Sequence, residues 1–588
     1  LGPVHAGGAG LRVSSGWRYD LEGVDAAAAR ELANRLLANP VIQRVHAEPY
    51  HPAAFPTAQA HDGAVRSVRI LGLNDGELER LSRDAHLFLS LDEMKAVQAE
   101  YQRLGRDPRE VELETIAQTW SEHCVHKTLK STIRYSGALD GDVIDWSKRP
   151  GHQRQPDGSI VINNLLKCTV AAATHELIRD GVDWTLSVFV DNAGVIAFDE
   201  HTAVNIKVET HNHPSAIEPY GGAATGVGGC IRDVIATGLG ARPIANTDVF
   251  CVASPDLAEV PVGCLHPRRI LTQVVAGVRD YGNRMGIPTV SGAVYFDDRH
   301  VGNPLVFCGC IGVMPRSRVR GEVQRGDLIV ALGGRTGRDG IHGATFSSAE
   351  LEHTATDEFA HAVQIGNAIT EKQTLDAIMR AAGEGLPDGR PLFSALTDCG
   401  AGGFSSAIGE QGKSTGATVH LERAPLKYAG LSPAEIWISE AQERFILAVP
   451  RRNLDALQRI CDEDHVDLAV LGEFAPPAGS DAEHPDLLLE PNLPNWPGLR
   501  TYSPETQVAA FDRSSLRAGK TFKYSIVAQQ EGSYSLGPLS FSYFDPEQRR
   551  YRTLQARAPE IKVRGARATE PGATATPLPG SSEQPLAP

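Results

Sequence analysis

Residues 207–233 read KVETHNHPSAIEPYGGAATGVGGCIRD, and this stretch carries the densest set of reactive groups in the chain. Its charged and titratable side chains are Lys207, Glu209, His211, His213, Arg232 and Asp233. Its glycines predict a loop whose successive backbone N–H groups approach phosphate oxygens, since glycine tolerates positive φ. Carboxylates suit Mg²⁺, which keeps several waters and bridges phosphates. The stretch therefore predicts a magnesium-dependent nucleotide site, and a glycine-rich turn with solvated charges is the alternative.

Apolar runs on both sides of this stretch predict a large α/β body. LSVFVDNAGVIAF (186–198) and PLVFCGCIGVM (304–314) have the composition of buried strands. Between them, residues 266–286 place apolar side chains on one helical face. A second α/β unit opens with the predicted strand DLIVALGG (327–334). The predicted fold class is thus α/β, or α+β, in two successive domains.

The remaining chain divides by composition. Residues 1–50 predict a strand–helix–strand domain, with Asp25 as the N-cap of its helix, and residues 51–92 predict a linker with a helix near 77–88. The two α/β domains are assigned to 93–316 and 317–475. Alternating apolar and polar residues at 482–563 predict a small all-β module of sandwich type. The last segment, 564–588, has the composition of a disordered tail.

Length and charge narrow the function classes. A chain of 588 residues with a formal charge of −15 is large enough for several domains and disfavours general binding to nucleic acid or anionic membranes. Its nine cysteines contain no CxxC pair, which predicts reduced thiols and a cytoplasmic location. No apolar run approaches the roughly 20 residues of a membrane span. The start at Leu1 leaves open a missing amino-terminal piece or a processed start.

Four further motifs carry functional side chains. TWSEHCVHK (119–127) brings His123, His126 and Lys127 onto one face if it is helical, and a surface helix cap with incidental histidines is the alternative. GGRTGRDGIHGATFSS (333–348) is either a phosphate-binding turn or a structural loop after a strand. TDCGAGGFSSAIGE (397–410) sets Asp398 before a glycine-rich turn into a helix. SEAQERF (439–445) precedes a predicted strand, and a polar loop is its simpler interpretation.

Together these segments resemble one family, formylglycinamide ribonucleotide amidotransferase, also called phosphoribosylformylglycinamidine synthase. The motifs that carry the resemblance are WSEHC, KVETHNHPSAIEPYGGAATGVGG, IRD, GGRTGRDGIHGA, VQIGNAITEK, DCGAGG and SEAQERF, in family order over about residues 11–475. The resemblance implies N and C domains like those of aminoimidazole ribonucleotide synthetase. It also implies that residues 1–50 correspond to a truncated small subunit fused to the synthetase part.

The resemblance assigns roles residue by residue. It implies His123 and His211 as catalytic residues, with His211 the proton acceptor, and His126 and Lys207 as ATP contacts. The implied Mg²⁺ ligands are Glu209, Asp233 and Asp398. The implied substrate contacts are Thr210, His211, Asn212, His213, Arg232, Gln364, Glu440, Ala441 and Gln442. His126 departs from the tyrosine found in many short members of the family, which weakens the assignment of that nucleotide contact.

The implied reaction converts formylglycinamide ribonucleotide to formylglycinamidine ribonucleotide in purine biosynthesis. ATP phosphorylates the amide oxygen, and ammonia then displaces phosphate, with Mg²⁺ neutralising the triphosphate. The sequence shows no glutaminase, since the only cysteine after residue 400 is Cys461, so a separate glutaminase subunit is expected to supply the ammonia. Family members also have a second homologous half, so self-association or a missing second half is expected.

The carboxy-terminal module bears a different likeness. LPNWPGLRTYSPE and GSYSLGPLSFSYFDPEQRRYRTL, within residues 482–563, resemble part of the Bat-type aerotolerance proteins, which are normally anchored at the cell envelope. A natural fusion and a chimera joined near residue 480 both fit this combination, and the chimera is favoured.

Three functional hypotheses therefore stand. The first is the ammonia-using synthase, active once its missing half is supplied. The second is a catalytically incomplete fragment that still binds ATP or substrate. The third is an interaction protein whose β module sets its role, which the intact set of predicted site residues argues against.

Overall fold

The computed structural model describes residues 18–33, 37, 45–48, 50, 66–137, 149–346, 363–364, 366–384, 386 and 389–475, and eight strands between 499 and 563. The chain divides into two compact units, Leu1–Ala478 and Gly479–Pro588. Among the described residues, no helix combines the length and apolar character needed to cross a membrane.

The first unit contains the helices of the described chain. They are α1 (Ala26–Leu32), α2 (Asp75–Asp84), α3 (Leu91–Leu104), α4 (Glu110–Thr119), α5 (Glu122–Val125), α6 (Lys127–Lys130), α7 (Ala172–Arg179), α8 (Asn212–Ile217), α9 (Pro219–Ile235), α10 (Pro267–Met285), α11 (Gly343–Phe346), α12 (Ala368–Ala381), α13 (Gly403–Gln411), α14 (Pro433–Ile438) and α15 (Leu454–Glu463).

The same unit contains strands β1 to β14. They are β1 (Thr132–Tyr135), β2 (His152–Arg154), β3 (Ile160–Asn163), β4 (Thr185–Ser187), β5 (Gly194–Ala197), β6 (Thr202–Thr210), β7 (Arg242–Val252), β8 (Thr289–Phe296), β9 (Leu305–Pro315), β10 (Leu328–Gly333), β11 (Ala395–Asp398), β12 (Thr418–Val419), β13 (Arg444–Val449) and β14 (Leu468–Glu473).

A six-stranded sheet of order β4-β5-β6-β9-β7-β8 organises the first α/β domain. Only the β7–β8 pair is parallel, and the other pairs are antiparallel. Helices α9 and α10 pack against each other, and apolar side chains of both join the core cluster that also contains Val306 of β9. A five-stranded sheet of order β11-β13-β10-β14-β12 organises the second domain. Side chains of its strands β10 and β13 belong to the same core cluster, so the two domains share one apolar interior.

Three of the predicted elements around the opening stretch are confirmed. Strand β9 covers the predicted strand at 304–314, helix α10 lies between His266 and Gly286, and strand β10 covers the predicted strand at 327–334. Gly286 has φ of 73°, the left-handed conformation that ends helices and that glycine adopts without strain.

The single buried strand predicted at 186–198 is wrong. The segment forms two antiparallel strands, β4 and β5, and Phe189, Val190 and Phe198 are exposed. The sequence Asp191-Asn192-Ala193-Gly194 is a turn signal that interrupts the apolar run.

The glycine-rich loop predicted within 207–233 is also wrong, because most of that segment is helix α9. Its glycines are needed for close packing instead. A Cβ on Gly222 would lie 2.5 Å from the backbone nitrogen of Ser215, and one on Gly228 would lie 2.7 Å from the Tyr281 ring. The glycines therefore bring α9 against α8 and α10 rather than expose N–H groups to phosphates.

Helix α4, which follows the linker predicted at 51–92, packs on the second domain. Helices α2, α3 and α4 enclose a separate small core around Ile70, Leu78 and Leu113. The indole of Trp437 donates a 2.9 Å hydrogen bond to the hydroxyl of Thr115, and His342 lies 3.1 Å from Glu114. The helix predicted near 77–88 is confirmed in part, since it spans Asp75–Asp84.

The ends of the chain are described in part. Asp25 caps α1 by accepting hydrogen bonds from Ala27 and Ala28, as predicted. The predicted strands at 1–50 fall largely outside the described residues, as does the predicted tail at 564–588.

The second unit contains only strands among its described residues. They are β15 (Leu499–Thr501), β16 (Glu505–Val508), β17 (Lys520–Lys523), β18 (Ile526–Ala528), β19 (Gly532–Ser535), β20 (Pro538–Asp545), β21 (Arg550–Arg557) and β22 (Glu560–Val563). They pair antiparallel as β15–β18, β16–β17, β19–β22 and β20–β21. The predicted domain boundaries, including the sandwich at 482–563, stay predictions.

Candidate active site

The site begins where β6 faces α9. Lys207 on β6 forms an ion pair of 2.7 Å with Asp233 at the end of α9. Burial alone would lower the pKa of Lys207, but the charges of Asp233 and Glu209 outweigh it and raise that pKa. Lys207 therefore carries a persistent positive charge, held between carboxylates and still partly open to solvent.

Arg232 connects four predicted segments. Its side chain is buried, with its guanidinium 3.2 Å from Glu371 on α12 and 3.7 Å from Asp398 at the end of β11. It also donates a hydrogen bond to Gln442. The surrounding carboxylates raise the pKa of Arg232 despite its burial, beginning with Glu371. Residues far apart in the sequence thus meet around one buried cation.

Glu440 ties the glycine-rich turns together. One of its carboxylate oxygens accepts hydrogen bonds from the backbone N–H groups of Ala344 at 2.7 Å and Gly402 at 3.0 Å. The other accepts from the side-chain amide of Gln364 at 2.5 Å. Burial raises the pKa of Glu440 to about 7. A Cβ on Gly343 would lie 2.2 Å from this carboxylate, so a larger residue there would displace Glu440 from its hydrogen bonds.

Arg444 holds the segment 439–443 in place through hydrogen bonds to its backbone. This buried guanidinium donates hydrogen bonds to the carbonyl oxygen of Ala441 at 2.7 Å, to that of Ser439, and to the Thr336 hydroxyl at 2.9 Å. Its carbon lies 4.3 Å from the centre of the Phe404 ring. Burial lowers the pKa of Arg444. The segment 439–443 of SEAQERF is a polar loop, the simpler interpretation, but it is buried and held by hydrogen bonds rather than exposed to solvent.

The two candidate catalytic histidines differ in environment. Burial lowers the pKa of His211 to about 4, so its imidazole is neutral near pH 7. His123 is exposed, but dense surrounding protein partly desolvates it and lowers its pKa, and the charges of His126 and Lys207 act in the same direction. Both rings are therefore neutral. His123 lies near the Lys207–Asp233 pair, and His211 lies against α9.

The helical face predicted for 119–127 is interrupted. Helix α5 ends at His126, which has φ of 55°, and α6 starts after it. His123 and Lys127 consequently lie on different short helices, and Lys127 pairs with Glu93 at 2.6 Å.

The other predicted substrate residues have local partners. Asn212 accepts a 2.9 Å hydrogen bond from the backbone of Val306, and His213 meets the Phe346 ring edge-on at 5.8 Å. Thr210 is exposed at the end of β6, and Ala441 is fully buried.

The three predicted magnesium ligands lie close together but do not form a complete metal-binding site. Burial and then the Asp233 charge raise the pKa of Glu209 to about 7 and that of Asp398 well above its usual range. Among the described residues, no group of three or more His, Cys, Asp or Glu side chains has the geometry to hold a metal ion. Asp233 is instead paired with Lys207.

The arginines of the 333–348 turn are already paired. Arg335 lies 2.6 Å from Asp467, and Arg338 lies 2.7 Å from Glu435. Asp339 is likewise held by Lys427 at 2.8 Å. Within the part of this turn that the structure describes, these contacts favour the structural loop over a phosphate-binding turn.

Several buried polar atoms at the site have no hydrogen-bond partner among the described residues. They are Nδ1 of His211, Nε of Arg232 and Oε1 of Gln364. Buried polar atoms are nearly always satisfied, so these three atoms are candidates for contact with a polar ligand or with water.

Sequence reasoning missed Tyr281 and Glu371 of this cluster, whereas Glu443 stands in the quoted motif SEAQERF. Tyr281, Glu371 and Glu443 are buried, and the Tyr281 hydroxyl lies 2.5 Å from Glu371 and 2.9 Å from Glu443. Tyr281 belongs to a helix recognised only by its apolar face, and Glu371 lies within the quoted motif VQIGNAITEK. No sequence signal joins these positions, because their contacts arise from the packing of α10 on α12.

Three family models match successive parts of the chain. Residues 78–127 match the formylglycinamide ribonucleotide amidotransferase linker domain. Residues 190–314 and 324–483 match the N-terminal and C-terminal domains of AIR synthase related protein.

Known relatives cover the same region. The chain is 39% identical over 415 residues to the phosphoribosylformylglycinamidine synthase subunit PurL of Thermoplasma acidophilum, an alignment that covers 69% of this chain and 48% of the relative. It is 37% identical over 377 residues to that of Pyrococcus abyssi, covering 63% and 45%. A solved structure of T. maritima PurL complexed with FGAR has a TM-score of 0.48 and 32% identity, covering 65% of this chain and 52% of that one. The chain thus spans about half the length of the curated relatives it matches.

Proposed function

This chain belongs to the phosphoribosylformylglycinamidine synthase family, and on that premise we propose that its first unit takes part in converting formylglycinamide ribonucleotide to formylglycinamidine ribonucleotide with ATP. The chemistry is a carbon–nitrogen ligation in purine biosynthesis. With all nine cysteines free, the chain suits a reducing compartment, and we assign the activity to the cytoplasm.

One observation carries the proposal. Arg232 joins α9 to Glu371, Asp398 and Gln442, so that segments separated by up to 210 residues surround one buried guanidinium. His211, Arg232 and Gln364 each keep a buried polar atom without a hydrogen bond, and a ligand that offers both donors and acceptors would satisfy such atoms. An amide-bearing ribonucleotide has that character.

His211 is available as a proton acceptor, although its low pKa makes it a weak base. Its pKa of about 4 leaves the imidazole unprotonated at neutral pH, so it can take the proton lost when ammonia attacks. His123, near Lys207 and His126, would orient the reacting amide, and Lys207 and His126 would bind ATP phosphate oxygens. Burial of the 439–443 segment helps to exclude water from a phosphorylated amide that hydrolyses readily.

Magnesium would bind one or two of the clustered carboxylates Glu209, Asp233 and Asp398 rather than all three. Burial, and after it the charge of Asp233, raises the pKa of Glu209 and of Asp398, and a bound cation would favour their ionised forms. Mg²⁺ typically takes one or two carboxylates and completes its shell with water and phosphate, so a three-residue cage is unnecessary. When bound, it would neutralise the charge of the triphosphate.

Two partners follow from the proposal. A glutaminase subunit would supply the ammonia. A second copy of the chain, or a chain carrying the other half found in longer relatives, would complete the ATP site. The exposed apolar face of the six-stranded sheet supports such an association, since Ile196, Ile206 and Val208 are each at least 40% exposed there.

Calorimetry with the purified full chain tests the proposal. We expect micromolar to millimolar binding of formylglycinamide ribonucleotide and of ATP with Mg²⁺, and little ADP release with ammonia alone. Lys207→Met should weaken ATP binding at least about tenfold because it removes a charge-assisted contact. Lys372→Met, which breaks the surface pair with Asp376, is the matched control.

Two results would contradict parts of this proposal. Absence of binding for both ligands would reject the functional assignment. Robust turnover with ammonia alone would show that no further half is needed.

A further inference from the structure

Tyr281 lies where the two domains meet, and neither the family motifs nor the charge pattern assigns it a role. Its ring is only 2% exposed. The ring packs where two glycines leave room, since a Cβ on Gly228 would lie 2.7 Å away and one on Gly366 would lie 2.8 Å away. Close packing against Gly228 and Gly366 therefore fixes the position of the ring.

The hydroxyl of Tyr281 bridges two buried carboxyl groups. Glu371 on α12 and Glu443 in the 439–443 segment both lie within hydrogen-bond distance, at 2.5 Å and 2.9 Å. A phenol has one proton to donate, so it can donate to one carboxylate while accepting from the other carboxyl if that carries a proton. Burial raises the pKa of Glu371 to about 7, which agrees with a shared proton.

Both carboxyl groups hold parts of the candidate active site. Glu371 pairs with Arg232 at 3.2 Å. Glu443 accepts a 2.7 Å hydrogen bond from the backbone of Asn367 and has φ of 64°, a left-handed conformation that costs free energy in a residue other than glycine. The surrounding contacts must therefore hold Glu443 in place.

We propose that Tyr281 is a positioning residue of the candidate active site, whose hydroxyl fixes Arg232 through Glu371 and the 439–443 segment through Glu443. This inference rests on the proposed function for its meaning, although the positioning itself can be measured without any ligand. Tyr281 touches neither ATP nor substrate in this scheme. It sets the geometry of the residues that do.

Tyr281→Phe tests the inference because it keeps the ring and removes the hydroxyl. Two carboxyl groups then face each other in the protein interior without their shared partner. Hydrogen exchange followed by mass spectrometry should show about tenfold faster exchange at Asn367 and over 439–445. Unchanged exchange in these segments would overturn the proposal.

Tyr220→Phe is the matched control. Tyr220 also donates a hydrogen bond to a carboxylate of α10, at 3.1 Å to Asp280, but it lies outside the bridge. Its loss should leave exchange at Asn367 and over 439–445 as in the wild type.

A second substitution separates positioning from general packing. Tyr281→Phe combined with Glu443→Gln removes one of the two facing charges and keeps an acceptor for Asn367, so we expect the slow exchange to return. If the double variant exchanges as fast as Tyr281→Phe, or if neither variant folds, the hydroxyl acts through packing alone and the positioning role is rejected.

Ligand binding tests whether the loss of the Tyr281 hydroxyl affects function. In Tyr281→Phe, the dissociation constant for formylglycinamide ribonucleotide should rise about tenfold, while that for ATP should change less than about twofold, because Lys207 does not contact the bridge. An equal loss for both ligands would contradict a role specific to Arg232 and the 439–443 segment. If the wild type binds no formylglycinamide ribonucleotide, the proposed function fails and the exchange experiment still decides the role of Tyr281.

Discussion

At the scale of single residues, burial rather than residue type sets the protonation of the site. His211 has an ordinary pKa of 6.5 that burial lowers to about 4. Glu371 and Glu440 move the other way, since burial raises the pKa of each to about 7. In each case burial favours the neutral form, whereas Lys207 and Arg232 keep their charge because carboxylates surround them.

The depressed pKa of His211 predicts a pH-dependent loss of stability. The unfolded chain binds a proton at this histidine below pH 6.5, whereas the folded chain binds it only near pH 4. The free energy of unfolding therefore decreases as the pH falls from 6.5 to 4. The expected loss is of order 3 kcal/mol. The measurement is the free energy of unfolding by urea at several pH values for the wild type and for His211→Gln.

The comparison of these two proteins removes the opposing contributions of other groups. Glu371 and Glu440 stabilise the folded state below pH 4.5 and lose that effect as the pH rises through 7, and both are present in each protein. The wild type should therefore lose stability relative to His211→Gln between pH 7 and pH 4. A constant difference across this range would show that His211 titrates normally.

The residue types of the site could be read from sequence, but their partners could not. Lys207, Arg232, Gln364 and Glu440 stand in recognisable motifs. Tyr281 does not, because its importance depends on which groups α10 brings within reach of its hydroxyl. The sequence also gives no sign that the arginines at 335 and 338 are paired with Asp467 and Glu435.

At the scale of elements, tertiary packing overrides local propensity in α9. Five glycines within 17 residues weaken an isolated helix by about 1 kcal/mol each, which is why the pattern predicts a loop. The neighbours of α9 supply the missing stability, since α8, α10 and β6 approach closely enough to touch its backbone. Elements with ordinary composition, such as β9, β10 and α10, are predicted correctly because local and tertiary preferences agree.

Gly222→Ala is expected to destabilise the protein although alanine favours helices. The added Cβ would meet the backbone of Ser215 at 2.5 Å, and backbone atoms cannot rotate away as a side chain can. The free energy of unfolding should fall by about 2 kcal/mol.

Gly409→Ala is the matched control within α13, because nothing lies within 4 Å of its Cβ position. This substitution should stabilise the protein by up to about 1 kcal/mol. Chemical denaturation of the two variants checks both signs. Stabilisation by Gly222→Ala would mean that α8 does not pack on α9 as described.

At the scale of the whole first unit, the six-stranded sheet has two unlike faces. Lys207 and Glu209 point to the face covered by α9, where a Cβ on Gly229 would lie 2.6 Å from Glu209. The strand registers place Ile206, Ile311 and Ala245 side by side on the opposite face. Ile206 is 48% exposed, and Tyr295 of the edge strand β8 is 61% exposed. Among the described residues, none of the helices covers this face, so a second layer is expected to do so.

We expect the chain to form a dimer through this face at concentrations of roughly 10 µM, because apolar sheet faces of this kind are normally covered. Ile196→Lys places a charge on the face and should shift the protein to monomer in sedimentation velocity, since burying an unpaired ammonium is costly. Val262→Lys is the control, because Val262 is 89% exposed in a loop outside the sheet and its substitution should leave the dimer intact. A wild type that stays monomeric at ten times that concentration would reject self-association.

In that case a different chain would supply the layer that covers this face. Binding of such a chain should bury the same face, and the Ile196→Lys substitution should prevent that binding.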